Sequence, residues 1–291
     1  MNANPLPEES SECYLNGTFQ PLAQCQVSVL DRGFIFGDGV YEVIPVYGRR
    51  VFRVQEHLAR LSRSLAAVGI KSPEQAGDWL SLVRELVARN APDDQCVYIQ
   101  VTRGVAKRDH AFPRGVEPTV FMMSFPFPHL QTEKRSQGLA CITAPDLRWR
   151  NAHIKSISLL GNVLARQLSV ENDAAETLLI RDGYLTEASA SNVWIVRNGR
   201  LAAPPRDHDK LEGIRVGLLE ELAAETGIAL EFRPVAEWEL RCADEILLTS
   251  ATKEVVSVTT LDGRSVASGR PGTIGQSLYL AYQEAKRLQS H

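Results

Sequence analysis

The chain has 291 residues and a formal net charge of −3, from 32 lysines and arginines against 35 aspartates and glutamates. That length allows about two domains, the 44% hydrophobic content excludes disordered and collagen-like chains, and the charge balance lacks the basic footprint of a nucleic-acid binder. No apolar run approaches the ~20 residues of a membrane span, and the polar opening stretch to Glu12 has no signal-peptide core. A cytoplasmic protein without nucleic-acid or membrane partners is expected. The five cysteines (13, 25, 96, 141 and 242) are widely spaced and form no Cys-x-x-Cys, and the histidines form no His-x-x-x-His. Neither a disulfide framework nor a metal site is expected.

In chain order, Asn16-Gly17 between Cys13-Tyr14-Leu15 and Thr18-Phe19 predicts a hairpin. Residues 40–47, Gly48 and residues 51–54 predict another. Leu58, Leu61, Leu65 and Val68 recur at helical spacing, with Gly69 as the stop; Trp79, Leu82, Val83, Leu86 and Val87 make a second stripe, ended by Pro92. Strands follow at 96–102 and 119–125. Residues 1–125 therefore read as a smaller α+β domain with helices on an antiparallel sheet. Residues 126–134, with Pro126 and Pro128 and then polar residues, read as a linker. Residues 135–291 read as a larger C-terminal domain. It has strands at 140–143, 176–181 and 192–196, turns at Asp182-Gly183 and Asn198-Gly199, and helices at 159–171, 215–226, 237–243 and 275–288.

The chain has no phosphate loop, no Gly-x-Gly-x-x-Gly, no Gly-x-Ser-x-Gly and no His-Glu-x-x-His. Only seven lysines are present, and six lie in polar loops, at turns or on a charged helix face. Lys155 differs, because a short alternating strand there runs into an apolar helix. Burial lowers a lysine pKa, which makes a Schiff-base nucleophile; the plainer alternative is a snorkelling strand-end lysine. Glu187 precedes the small-residue run Ala188-Ser189-Ala190-Ser191. A carboxylate there could hold a protonated pyridine nitrogen, or simply edge a hairpin. Gly213-Ile214-Arg215 opens a helix and Thr249-Ser250-Ala251-Thr252 ends a strand, two places where N–H groups favour anions. Arg60 could add a full charge.

Taken together, Asp31-Arg32-Gly33, Phe36-Gly37-Asp38-Gly39-Val40-Tyr41-Glu42, Glu56-His57-Leu58-Ala59-Arg60-Leu61, Ile154-Lys155-Ser156, Leu160-Gly161-Asn162 and Thr186-Glu187-Ala188-Ser189 resemble the class IV aminotransferases over nearly the whole chain. The resemblance implies the two-domain fold-type-IV architecture and a pyridoxal 5′-phosphate cofactor. It implies that Lys155 carries the cofactor covalently, Glu187 pairs with its ring nitrogen and Arg60 holds its phosphate, with groups around Ile214, Arg215 and Thr252 completing the phosphate cup. Gln100-Val101-Thr102-Arg103-Gly104 with Arg108-Asp109-His110 resembles the D-amino-acid transaminase branch. There Tyr41, Arg108 and His110 would trap the substrate carboxylate, the last two reaching in from the partner of a homodimer. D-Alanine and 2-oxoglutarate are the implied substrates.

Two positions depart from the family pattern. Arg215 stands where Gly-Ile-Thr has its threonine, and Ala251 stands where a hydroxyl residue is common. A branched-chain L-amino-acid transaminase, an aminodeoxychorismate lyase of the same fold and a non-enzymatic cofactor-binding protein stay open as alternatives. The Arg108-x-His110 pair argues against the first two, and the presence of both Lys155 and Glu187 against the third.

Overall fold

The computed structural model describes residues 11–288 apart from Glu74 and Gln75, so most of the polar opening stretch lies outside the described residues. The chain divides into two compact units. One runs to Pro128 and takes back Ile154–Leu159; the other comprises His129–His153 and the chain from Leu160 onward.

In the first unit, β1 (Glu12–Leu15), β2 (Thr18–Pro21), β3 (Gly39–Tyr47), β4 (Arg50–Val51), β5 (Gln95–Thr102) and β6 (Thr119–Pro126) form one sheet in the order β2-β1-β6-β5-β3-β4. Every neighbouring pair is antiparallel. Asn16 and Gly17 both take positive φ in the first turn, which matches the right-handed strand twist. The second hairpin is shorter than its sequence pattern predicts. Arg53 takes a left-handed conformation at the cap of α2 (Val54–Ala67), so Val54 starts a helix instead of ending a strand. The buried face of α2 is His57, Arg60, Leu61, Ser64 and Leu65, spaced for one helical side. Leu61 and Leu65 join Ile44, Val97, Ile99 and Met122 of the sheet, and Val83 and Leu86 of α3 (Trp79–Arg89), in one core. Three polar residues on that face are unusual for a core helix and mark a site.

A five-residue helix, α1 (Arg32–Phe36), was not legible in the sequence. Asp31 caps it by accepting from the Gly33 N–H at 2.7 Å, and left-handed Gly37 ends it.

The second unit holds α4 (Thr132–Gln137), β7 (Leu139–Pro145), α5 (Leu160–Glu171), β8 (Glu176–Arg181), β9 (Tyr184–Ala188), β10 (Asn192–Arg197), β11 (Arg200–Ala203), α6 (Ile214–Glu225), β12 (Leu230–Phe232), α7 (Glu237–Arg241), β13 (Glu245–Ser250), β14 (Glu254–Leu261), β15 (Arg264–Ser265) and α8 (Thr273–Leu288). Its nine strands make a mixed sheet in the order β12-β11-β10-β13-β14-β7-β8-β9, with β15 paired to β14. β7 runs parallel to both β14 and β8. The core is aliphatic, built from Leu178, Leu185, Val193, Ile195, Ile246, Leu248 and Val256. Asp182-Gly183 and Asn198-Gly199 turn their hairpins with positive φ. The polar end of the 126–134 segment enters α4. No helix among the described residues is long and apolar enough to cross a membrane.

Candidate active site

The first unit brings Tyr41, Arg60 and Lys155 together. The backbone around Lys155 lies against β3: the Tyr41 N–H donates to the Lys155 carbonyl at 2.9 Å, and Val40 bridges Ser156. From the other side, the Lys155 N–H reaches Ser64 Oγ on α2 at 3.4 Å. The Lys155 ammonium stands 4.0 Å from the centre of the Tyr41 ring, a cation–π contact. Arg60 spends its fork on Glu42, with Nε 2.6 Å from Oε1 and Nη2 2.8 Å from Oε2. His57 Nδ1 shares that carboxylate at 2.9 Å. Burial pushes the Glu42 carboxyl up, but Arg60 and His57 outweigh it and hold it at about 2. Arg60 and His57 converge on one buried carboxylate, which fixes the direction of the Arg60 head.

Arg108 and His110 lie on the exposed loop after β5. Both stand against Phe36, with the Arg108 guanidinium carbon 5.5 Å from its ring centre and the His110 ring 5.4 Å away.

The second unit gathers Glu187, Ile214, Arg215 and Thr252. Glu187, 6% exposed, closes β9 and accepts from the Leu211 N–H at 3.3 Å. Asn192 Nδ2 donates to the Leu211 carbonyl at 2.8 Å. A Cβ on Gly213 would lie only 2.2 Å from Asn192 Oδ1, so only glycine lets this loop seat so closely. The loop delivers the N-terminus of α6, which carries no side-chain cap at Gly213. Thr252 lies in the turn between β13 and β14. Buried Glu176 ties that turn to the small-residue run: it accepts from Lys253 Nζ at 2.6 Å, Ser191 Oγ at 2.7 Å, the Ala190 N–H at 3.1 Å and Ser189 Oγ. The guanidinium of Arg215, 2% exposed, lies 5.5 Å from the ring centre of Tyr282 on α8.

Three features escaped the sequence. Arg148 ion-pairs with Glu187, and Asp146 grips the same guanidinium through Nε and Nη2, both at 2.9 Å. Arg181 joins Asp146 at 3.1 Å and pairs with Asp209. Two guanidinia thus face three carboxylates, and the Lys210 ammonium also acts on Glu187. Burial pushes the Glu187 carboxyl above its ordinary range, while Arg148 and the Leu211 N–H pull it back. These partners are 24 or more residues away from Glu187, so no local pattern announces them.

The third feature is a correction. Lys155 is not the most buried lysine. Lys210 is 4% exposed, its ammonium donates to the Pro204 carbonyl at 2.6 Å, and burial lowers its pKa. The neighbouring Asp207-His208-Asp209 looks polar, but the chain turns inward at Lys210. Contact with Tyr41, not burial, distinguishes Lys155.

The donor set suits pyridoxal 5′-phosphate. A carboxylate has about four acceptor positions, so Glu187 retains capacity beyond Arg148 and Leu211. A buried carboxylate held in place by Arg148 suits a protonated ring nitrogen, and an uncapped helix start suits a phosphate.

A family model described as "Amino-transferase class IV" matches residues 39–261. The chain is 39% identical over 270 residues to the D-alanine aminotransferase of Bacillus licheniformis, covering 93% of this chain and 95% of that one. It is 36% identical to the D-alanine aminotransferase of Staphylococcus aureus strain MW2, covering 96% and 98%. Its fold is similar to the branched-chain amino acid aminotransferase of Escherichia coli, with a TM-score of 0.87 at 23% identity over 94% of each chain. The matched span contains Tyr41, Arg60, Lys155, Glu187 and the start of α6. The chain belongs to the class IV aminotransferases and is a pyridoxal-phosphate-dependent enzyme.

Proposed function

We propose that this enzyme transaminates D-amino acids, taking the amino group of D-alanine and passing it to 2-oxoglutarate in a ping-pong cycle. The reading rests on the likeness to D-alanine aminotransferases over more than nine-tenths of the chain. Bound pyridoxal phosphate supplies an electron sink for the pair of electrons left at the substrate Cα. Lys155 Nζ would hold the cofactor and, as a free amine, would accept the proton from the substrate Cα. The Tyr41 ring, 4.0 Å from Nζ, orients the Lys155 side chain for that transfer. Glu187 keeps a proton on the ring nitrogen, and Asp146, through Arg148, holds Glu187 in place. Arg60 and the N–H groups of Ile214 and Arg215, with Thr252, hold the phosphate. Arg215 contributes through its backbone, since its side chain lies against Tyr282.

Tyr41, Arg108 and His110 bind the substrate carboxylate, the last two serving the site of a second copy. Leu160, Val163, Leu164 and Leu168 form an exposed apolar stripe on α5. Such a stripe is costly in water and suits a homodimer. Five unpaired cysteines fit a reducing cytoplasm. The test is a half-reaction scan that follows the cofactor absorbance with D- and L-amino acids in parallel. Faster conversion by D-alanine than by any L-amino acid is the expected result, and preference for branched L-amino acids defeats the reading.

A further inference from the structure

The Asp31-Arg32-Gly33 and Asp38 segments belong to the first unit. What they hold is the loop after β5. Arg32 is 3% exposed on α1, and its three nitrogens take three different acceptors. Nε binds Asp38 Oδ2 at 2.8 Å, Nη1 donates to the Asp109 carbonyl, and Nη2 donates to the His110 carbonyl at 3.4 Å. The two carbonyls flank the His110 Cα, so one guanidinium sets both the position and the turn of that residue.

A second arginine fixes the first. Arg103 places Nε 2.8 Å from the same Asp38 oxygen and Nη2 3.0 Å from the other, and donates to the Val68 and Gly69 carbonyls at 2.7 and 3.0 Å. Its guanidinium carbon lies 3.6 Å from the centre of the Phe112 ring, at the far end of the loop. Backbone bonds secure the near end, where the Arg32 N–H donates to the Gly104 carbonyl and the Ala106 N–H to the Leu30 carbonyl. The loop carries almost no apolar core of its own, since residues 107–112 are exposed. Its shape therefore depends on this clamp.

We infer that Arg32 is a positioning residue that sets the substrate-carboxylate preference by holding Arg108 and His110 in register. The inference rests on the reading of those two residues as the carboxylate trap. A planar five-donor fork can span three acceptors in fixed directions, whereas a lysine ammonium keeps the charge opposite Asp38 without spanning both carbonyls. Small displacements of a binding group cost large factors in rate.

The experiment compares wild type, Arg32→Lys and Arg108→Ala as holoenzymes, in single-turnover half-reactions with D-alanine and with isopropylamine, which has a methyl in place of the carboxylate. Arg32→Lys should raise the half-saturating D-alanine concentration about tenfold or more, with isopropylamine and the limiting rate much less affected. Loss confined to D-alanine separates a positioning role from general damage, which would slow both amines alike. An unchanged ratio of D-alanine to isopropylamine in Arg32→Lys, with Arg108→Ala impaired on D-alanine, overturns the inference alone. An unchanged ratio in Arg108→Ala as well overturns the trap reading beneath it. If Arg32→Lys does not fold, Asp38→Asn, which removes the anion that Arg32 and Arg103 share, is run in the same two half-reactions. A loss confined to D-alanine supports the clamp, and equal behaviour of the two amines overturns it.

Discussion

Glu187 is ion-paired with Arg148 inside the second unit, and Asp146 holds the other edge of the same guanidinium. A buried carboxylate whose pKa burial raises is thereby kept close to a permanent cation. Arg148 sits only 5% exposed between the two acids. Its pKa is raised because the hydrogen bonds and charge of Asp146 and Glu187 outweigh its burial. Arg148→Met should leave Glu187 buried without its cation. The expected cost is about 3–5 kcal/mol of stability, read by denaturant unfolding. The carboxyl should then take up a proton and cease to hold a charged ring nitrogen, slowing the D-alanine half-reaction by about tenfold or more. A variant with wild-type stability and half-reaction rate contradicts this account of the pair.

Glu187 itself is predicted to govern electron withdrawal more than folding. Glu187→Gln removes the carboxylate but keeps the Leu211 contact within reach. The cofactor should remain bound while the half-reaction slows by orders of magnitude, each factor of ten being ~1.4 kcal/mol of barrier. Near wild-type turnover would reduce Glu187 to a structural partner of Arg148.

Two lysines can be told apart by chemistry. Lys210 is the more buried, with a lowered pKa from desolvation, yet Lys155 is the one beside Tyr41. Borohydride reduction of the holoenzyme should fix the cofactor on Lys155, and Lys155→Ala should abolish that labelling. Lys210→Met should retain it. Label on the peptide that carries Lys210 would reverse the assignment.

Acid should expose the role of Glu42. Its carboxyl lies at about 2 in the folded protein against an ordinary 4.5, held down by Arg60 and His57 despite burial. The unfolded chain therefore binds that proton more readily. The stabilisation is fully present above about 4.5 and is lost as pH falls towards 2, an effect of about 3 kcal/mol at most. Thermal unfolding at pH 7 and pH 3 should show a larger loss in wild type than in Glu42→Gln, which should already be destabilised at pH 7. Equal pH dependence in the two proteins would sink the assignment.

Much of this was legible in the sequence, for identifiable reasons. Turn residues at Asn16-Gly17, Asp182-Gly183 and Asn198-Gly199 need positive φ and declare themselves. The stripe on α2 follows from its spacing, and Lys155, Glu187 and Arg60 stood out through the family pattern. The clamp around Asp38 and the Arg148–Glu187 pair did not, because each needs an arginine far off in sequence, Arg103 65 positions from Asp38 and Arg148 39 positions from Glu187. Spacing rules see only near neighbours. Lys210 was misjudged for a related reason: local polarity around it says nothing of where the Pro204 carbonyl waits. Helix α1 was hidden because two phenylalanines and a glycine in five residues give no helical period.

The handedness of the substrate tests the central claim most directly. If, as proposed, Tyr41, Arg108 and His110 hold the carboxylate, the cofactor the nitrogen and Lys155 the Cα proton, only one enantiomer fits. Single-turnover absorbance traces of the wild-type holoenzyme with D-alanine, L-alanine, L-leucine and L-valine measure this without any variant. The account predicts that D-alanine converts the cofactor fastest; faster conversion by L-leucine or L-valine would contradict it.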